Sequence, residues 1–397
     1  MDKLFEKYYQ KLDNTPLRFQ RSLLQVIDWS NRFIGIKGAR GVGKTTLLLQ
    51  YIHTHQLPQK NQTLYVSLDD FYFAANTLVD LADHFVKEGG KYLLLDEVHR
   101  YPSWSAELKN IYDDNPRLQV IFTGSSLIHL EKAKGDLSRR AIMHELFGLS
   151  FREYLNFTQE LSLESFLLED ILEHHQEIAR KIIRRIRPLA YFKEYLMFGY
   201  YPYFIENQNA YLQKLAETIA LGLSTDLPAS YDLNYGSLEK IRLLLHILAE
   251  SVPFKPNVSK LSERVGISRN LLLEFLKYLE EMRIARRLYA STKGIGLLQK
   301  PEKLYLYHPN LHYALAFHNS DIGNIRESFF INQLSALHQV TYSANGDFKS
   351  GKYTFETGGR TKTGKQIKNL KNAFVVADDI EIGHHLKIPL WLFGFLY

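Results

Sequence analysis

Phe33-Ile34-Gly35-Ile36-Lys37-Gly38-Ala39-Arg40-Gly41-Val42-Gly43-Lys44-Thr45-Thr46-Leu47-Leu48-Leu49 is the stretch that decides the fold of this 397-residue chain. Its first five residues read as a short apolar strand, and its last four open a helix. Between them, residues 38–45 fit G-x-x-x-x-G-K-[ST], the pattern of a loop that wraps phosphates. Glycines let the backbone curl so that successive N–H groups face one point, and the following helix N-terminus adds its positive end. The expected cradle is Gly38, Ala39, Arg40, Gly41, Val42, Gly43, Lys44, Thr45 and Thr46. Lys44 is expected on the β- and γ-phosphates, with a catalytic share, and Thr45 on a magnesium ion.

Working outward, residues 64–68, 92–95 and 118–123 read as further strands separated by helical stretches, the signature of a parallel sheet with crossover helices. Tyr92-Leu93-Leu94-Leu95-Asp96-Glu97 brings two carboxylates to the C-terminal edge of a buried strand. Asp96 is expected to hold magnesium and Glu97 to orient and deprotonate an attacking water. The plain alternative is a strand end with solvated acids. Val120-Ile121-Phe122-Thr123 runs into Gly124-Ser125-Ser126, where Ser125 is a candidate phosphate contact and a simple turn the alternative. Leu137-Ser138-Arg139-Arg140-Ala141 offers two guanidiniums. Arg140 is the favoured arginine finger, in cis or in trans, against the alternative of a surface salt bridge.

A composition of 45% hydrophobic and 23% charged residues is that of a folded chain with a sizeable core. The net charge of +6 permits a polyanionic partner without requiring one. With no cysteine, disulfides, zinc-thiolate sites and cysteine nucleophiles are excluded. The charged opening Met1-Asp2-Lys3-Leu4-Phe5-Glu6-Lys7 is unlike a signal peptide, and no apolar run reaches the roughly 18 residues of a membrane span, so a cytoplasmic location is expected. The apolar end, residues 388–397, reads as a buried strand, with a membrane anchor as the lesser alternative.

Taken together, the run 38–46, Leu95-Asp96-Glu97-Val98-His99, Phe122-Thr123-Gly124-Ser125-Ser126, residues 137–140 and Leu149-Ser150-Phe151-Arg152-Glu153-Tyr154 resemble the AAA-superfamily predicted ATPases of bacteria and archaea, close to the archaeal, signal-transduction branch. The resemblance implies an α/β fold: a P-loop NTPase parallel sheet at 1–150, a helical lid at 151–235, a winged helix at 236–310, and a small α/β domain at 320–397 similar to restriction endonucleases. It also implies ATP rather than GTP, in keeping with the lack of an N-K-x-D motif. Where relatives often carry a Gly-Arg pair, this chain has Arg139-Arg140.

Residues 257–282 show helix-turn-helix patterning. Val258, Leu261 and Val265 face inward, Gly266 turns, and Ser268 caps a helix with Leu271, Leu272, Phe275, Leu276, Leu279 and Met282 on one face. Residues 284–306, with Gly294 and Gly296, are the expected wing. Arg269 and Asn270 are placed for a major groove, and Arg286, Arg287, Lys293, Lys300 and Lys303 for phosphates. Glu274, Glu280 and Glu281 on the same helix oppose double-stranded DNA, so a packing or protein-binding role stands beside it. Arg180, Arg184 and Arg187 read as a solvated basic face. Residues 349–371 carry seven basic residues against one acid, Glu356. Glu327, Asp347 and Glu356 resemble the D…E-x-K arrangement of restriction-type nucleases, but Gly358 stands where the lysine belongs, with Arg360 or Lys362 as replacements, and a non-cutting domain is expected. The readings are an ATPase coupled to DNA- or partner-binding modules, with homo-oligomers allowed, a nucleotide-gated switch, or an ATP-dependent nuclease.

Overall fold

Five short strands make the first sheet, and each is explained by what covers it. β1 (Phe33–Lys37), β2 (Thr63–Ser67), β3 (Tyr92–Asp96), β4 (Gln119–Gly124) and β5 (Ile142–Glu145) lie in the order β2-β3-β4-β1-β5, every pair parallel. The central strands bury consecutive residues, Leu93-Leu94-Leu95 and Val120-Ile121-Phe122, because crossover helices shield both faces of a parallel sheet. β5 reads Ile-Met-His-Glu and is nowhere fully buried, as an edge strand allows, and the sequence pattern did not reveal it. The computed structural model describes residues 1–58, 61–124, 137, 139–231, 233–251, 255–290, 300–316 and 321–397, which form two compact units, Met1–Gly148 and Leu149–Tyr397.

Helix α1 (Asp2–Asp13) buries Leu4, Phe5, Tyr8 and Leu12 along one stripe and packs on β2. α2 (Lys44–Thr54) follows β1, α3 (Leu78–Lys87) links β2 to β3, and α4 (Trp104–Asp114) links β3 to β4. From β1 the chain leaves for β2 at the far edge, whereas the connection after its neighbour β4 passes the other way to β5, so the two adjacent strands send their connections in opposite directions. Open parallel sheets bind ligands at the C-terminal strand ends beside such a point.

The second unit opens with α5 (Phe151–Thr158), started by a capping box in which Ser150 Oγ accepts from Glu153 N–H and Glu153 reaches back to Ser150 N–H. α6 (Leu168–Ile183), α7 (Pro188–Phe198), α8 (Gln208–Leu221) and α9 (Tyr235–Ser251) follow. Then come α10 (Val258–Val265), a turn at Gly266 with φ 72°, α11 (Arg269–Glu281), and an antiparallel pair, β6 (Ala285–Leu288) with β7 (Lys303–Leu306). α12 (Pro309–Leu315) and α13 (Ile322–Leu334) lead into a second five-stranded sheet. Its strands are β8 (Thr341–Tyr342), β9 (Phe348–Ser350), β10 (Tyr353–Gly358), β11 (Ala373–Ala377) and β12 (Lys387–Pro389). β8, β9 and β10 pair antiparallel, and β10, β11 and β12 parallel.

Two expectations change here. The apolar end is a strand only through Pro389, whose ring removes a ladder donor, and residues Leu390–Phe395 close into a buried 3-10 helix. Arg180, Arg184 and Arg187 share no helical face, because α6 stops at Ile183 and Arg187 caps α7. No helix among the described residues is long and apolar enough to cross a membrane.

One buried amide ties the second unit together. Asn310 donates to the carbonyls of Tyr195 and Leu196 and accepts from Tyr200 N–H and Tyr211 Oη–H. Next to it His308 stacks on Tyr200 with ring centroids 4.0 Å apart, and His312 contacts Ser328 Oγ at 2.8 Å. Burial holds His308 well below the ordinary histidine range and His312 at about 4. A histidine depressed in the folded state is neutral there while its unfolded counterpart takes up a proton below about pH 6.5, so acid favours unfolding. The unfolding midpoint of this unit is therefore expected to fall between pH 7 and pH 5, with His312 alone accounting for about 2 kcal/mol. Urea titrations at several pH values should show a shallower pH dependence in His312→Gln.

Candidate nucleotide-binding site

The loop after β1 owes its shape to glycines at two kinds of position. Gly41 and Gly43 sit at φ 86° and 95°, a region other residues rarely adopt. Gly38 is required by closeness, since a Cβ there would meet Leu146 O at 2.4 Å. Lys44, only 4% exposed, donates Nζ–H to the carbonyls of Gly38 at 3.0 Å and Ala39 at 3.1 Å, so the ammonium lies within the curl of the loop. Ala39, Arg40, Val42 and Thr46 occupy the loop and the helix start as the pattern places them. Arg21, which sequence reading missed, braces the loop from outside. Its guanidinium donates to Val42 O at 2.8 Å, Phe147 O at 2.7 Å and Gly148 O at 3.1 Å. No local motif marks such an arginine.

At the end of β3, Asp96 is 2% exposed and bound by three hydroxyls. Thr45 Oγ1 donates to its Oδ2 at 2.6 Å and Tyr65 Oη to the same oxygen at 2.8 Å, while Thr123 Oγ1 donates to Oδ1. Thr123 and Tyr65 were also missed; the signal for Thr123 is a lone polar residue ending an apolar strand. Glu97 follows in the left-handed region, φ 54°, which turns its side chain out of the strand direction. Its N–H donates to Thr123 Oγ1 at 3.3 Å and its Oε2 lies 3.4 Å from His99 Nε2. Positive φ in a non-glycine residue is strain that persists where surrounding structure enforces it, often at sites of function. The donors suit a magnesium ion with phosphates. Thr45 and Asp96 supply hard oxygens side by side, and the N–H groups of a loop with no room for a Cβ at Gly38 supply the anion cradle.

Arg140 lies elsewhere. It precedes β5, whose Ile142 pairs with Ile34 at the start of β1, and it binds Asp113 at the end of α4 through Nε at 3.1 Å and Nη2 at 3.0 Å. Both positions belong to the N-terminal edge of the strands, opposite the loop, so a finger acting on its own chain's phosphates is ruled out. Arg139 is its neighbour on that edge, with φ 72°. Ser125 lies outside the described residues, as do Lys293, Gly294 and Gly296.

In the second unit the charges expected to face nucleic acid are largely spent on each other. Arg287 Nε donates to Glu280 at 2.7 Å, Arg286 stands 4.5 Å from the Tyr307 ring centroid, and Glu281 accepts from Tyr231 Oη at 2.6 Å. Lys303 Nζ bridges Glu327 at 3.1 Å and Asp347 at 3.4 Å. Burial works against that ammonium, yet the two carboxylates hold its pKa above the ordinary value. Arg269, Asn270 and Lys300 remain exposed.

Of the nuclease-like triad, Glu327 and Asp347 meet at Lys303 while Glu356 has a different partner. Asp347 Oδ2 accepts from Thr357 N–H and Oγ1, and the Thr357 side chain points to the face of β10 opposite that of Glu356. Glu356 instead pairs with Lys362 at 2.9 Å, whose stem crosses the space a Cβ on Gly358 would fill. Among the described residues no group of three or more His, Cys, Asp or Glu is placed to hold a metal.

Comparison with known proteins finds matches to segments of both units. Residues 30–155 match the model of the AAA domain, and residues 189–321 match a domain of unknown function, DUF8612. An uncharacterized protein of Methanocaldococcus jannaschii is 26% identical over 385 residues, spanning 88% of this chain and 80% of that protein. Among solved structures, the Walker-type ATPase of Pyrococcus abyssi is similar at 12% identity and TM-score 0.36, over 72% of this chain and 91% of that one. The ORC1 protein of Aeropyrum pernix, solved in complex with DNA, is similar at 13% identity and TM-score 0.30, over 72% and 86%. Residues 30–155 thus combine a match to the AAA domain model with a five-stranded parallel sheet and a phosphate-wrapping loop after β1, the arrangement of a P-loop NTPase core.

Proposed function

We propose that this protein hydrolyses ATP at the loop after β1 and passes its nucleotide state to modules in the second unit that bind DNA or a protein partner. The observation that carries the proposal is the Asp96-Glu97 pair: one carboxylate locked by three hydroxyls beside Thr45, the next turned out of the strand by a left-handed backbone. A protein that only bound nucleotide would need the cradle but not the second acid.

Backbone N–H groups of residues 38–43 and the start of α2 bind the phosphates, and Lys44 places positive charge among them. Thr45 and Asp96 offer a hydroxyl and a carboxylate to magnesium, which when bound neutralises charge on the phosphate oxygens. Glu97 orients the attacking water and takes its proton. Arg140, on the far edge of the sheet, serves as a finger only toward the site of a second chain. DNA contact rests on exposed Arg269 and Asn270 at the start of α11 and on exposed Arg360, Lys365, Lys368 and Lys371. The engagement of Asp347 by Lys303 and of Glu356 by Lys362 leaves the nuclease reading without support.

The decisive assay is steady-state phosphate release from Mg-ATP with and without duplex DNA. Glu97→Gln is expected to lower the rate by about 100-fold or more while nucleotide affinity stays near wild type; undiminished turnover removes Glu97 from the mechanism. A DNA-stimulated, Glu97-dependent rate supports coupling to nucleic acid, and an indifferent one points to a protein partner. Gly38→Ala drives a Cβ into Leu146 O, a backbone atom that cannot yield. Nucleotide affinity in an equilibrium titration should fall by about tenfold or more, an equivalent of ~1.4 kcal/mol.

A further inference from the structure

Asp96 Oδ2 carries two hydroxyl donors, and only one belongs to the loop-helix motif. Thr45 is the expected magnesium ligand; Tyr65 comes from the middle of β2. The Tyr65 oxygen in turn accepts from Lys11 Nζ at 3.3 Å, and that ammonium lies 5.0 Å from the Tyr65 ring centroid. Lys11 stands in the last turn of α1, a helix outside the span matched by the AAA domain model.

The chemistry of the three hydroxyls differs. A threonine oxygen that coordinates a cation does so through a lone pair and keeps its O–H as a donor, so Thr45 would serve the ion and Asp96 together. Tyr65 and Thr123 have no such second duty, and between them they engage both oxygens of the carboxylate. A phenol is also neutral. It holds Asp96 without placing a competing positive charge on the oxygen that faces the ion, and Lys11 adds its charge one bond further away, where it polarises the phenolic O–H toward Asp96. A buried phenol needing only a partner would be satisfied by any backbone carbonyl; this one is aimed at the metal-binding acid.

We infer that Tyr65 is a positioning residue that fixes Asp96 for magnesium, and that Lys11 ties helix α1 to the nucleotide site through it. The inference rests on the nucleotide-binding reading above. It is tested on the full chain by titrating a fluorescent ATP analogue with and without magnesium, for wild type, Tyr65→Phe and Lys11→Met. Tyr65→Phe is expected to bind metal-free nucleotide like wild type but to need magnesium raised by about tenfold or more for half-maximal tightening, the loss of one hydrogen bond to a charged acceptor. Lys11→Met should move the same midpoint in the same direction by less. A purely structural Tyr65 would lower the thermal midpoint of the nucleotide-free protein and leave the magnesium midpoint unchanged, which overturns the inference. Should Tyr65→Phe fail to fold, Lys11→Met decides, because Lys11 is exposed and its unchanged magnesium midpoint overturns the link. Nucleotide binding by wild type that ignores magnesium sinks the inference while leaving binding itself intact; no binding at all sinks the nucleotide reading first.

Discussion

Everything proposed for this protein turns on a carboxylate that is almost wholly removed from water. A buried acid without partners is costly, and three donors satisfy it: Thr45 from the start of α2, Tyr65 from β2 and Thr123 from β4. Each donor belongs to a different element, so the register of β2 against β3, of β3 against β4, and the placement of α2 are all tested at one group. The sheet has to be correct to within a residue for Asp96 to be stable in its position. Chemistry and fold are thus constrained by the same few oxygen atoms.

How much of this was legible follows from range. The loop and Asp96-Glu97 are contiguous patterns, and residues 38–45 and 92–97 lie where their spacing placed them. Fully buried strands announce themselves as apolar runs, so β1 to β4 were readable within a residue or so. β5 was not, because an edge strand with half-exposed Ile, Met, His and Glu has no periodic signal. Arg21, Tyr65 and Thr123 act across tens of residues on partners that only the folded sheet brings near. Arg140 shows the converse: its residue type was suggestive, but which end of the sheet it occupies is a property of topology.

The second unit repeats this lesson in its charges. Counting Lys and Arg along residues 284–306 suggests a basic surface, whereas Arg287 and Lys303 are already held by Glu280, Glu327 and Asp347. A run of charge becomes a binding surface only after internal pairing has been subtracted. The same subtraction applies to the nuclease-like acids, since Asp347 is engaged by Thr357 and Lys303 and Glu356 by Lys362.

The strand order has one more consequence, for the birth of the molecule. β1 sits between β4 and β5, with Phe33 against Val120 and Ile34 against Ile142. A chain emerging from the ribosome therefore carries Phe33-Ile34-Gly35-Ile36 without its neighbours until more than a hundred residues have been made. At usual translation speeds that wait is on the order of ten seconds. β2 and β3, adjacent in both sequence and sheet, can associate early, but the phosphate loop cannot take its final form until β4 and β5 have been synthesised. The phosphate loop is thus translated well before the strands that complete its sheet.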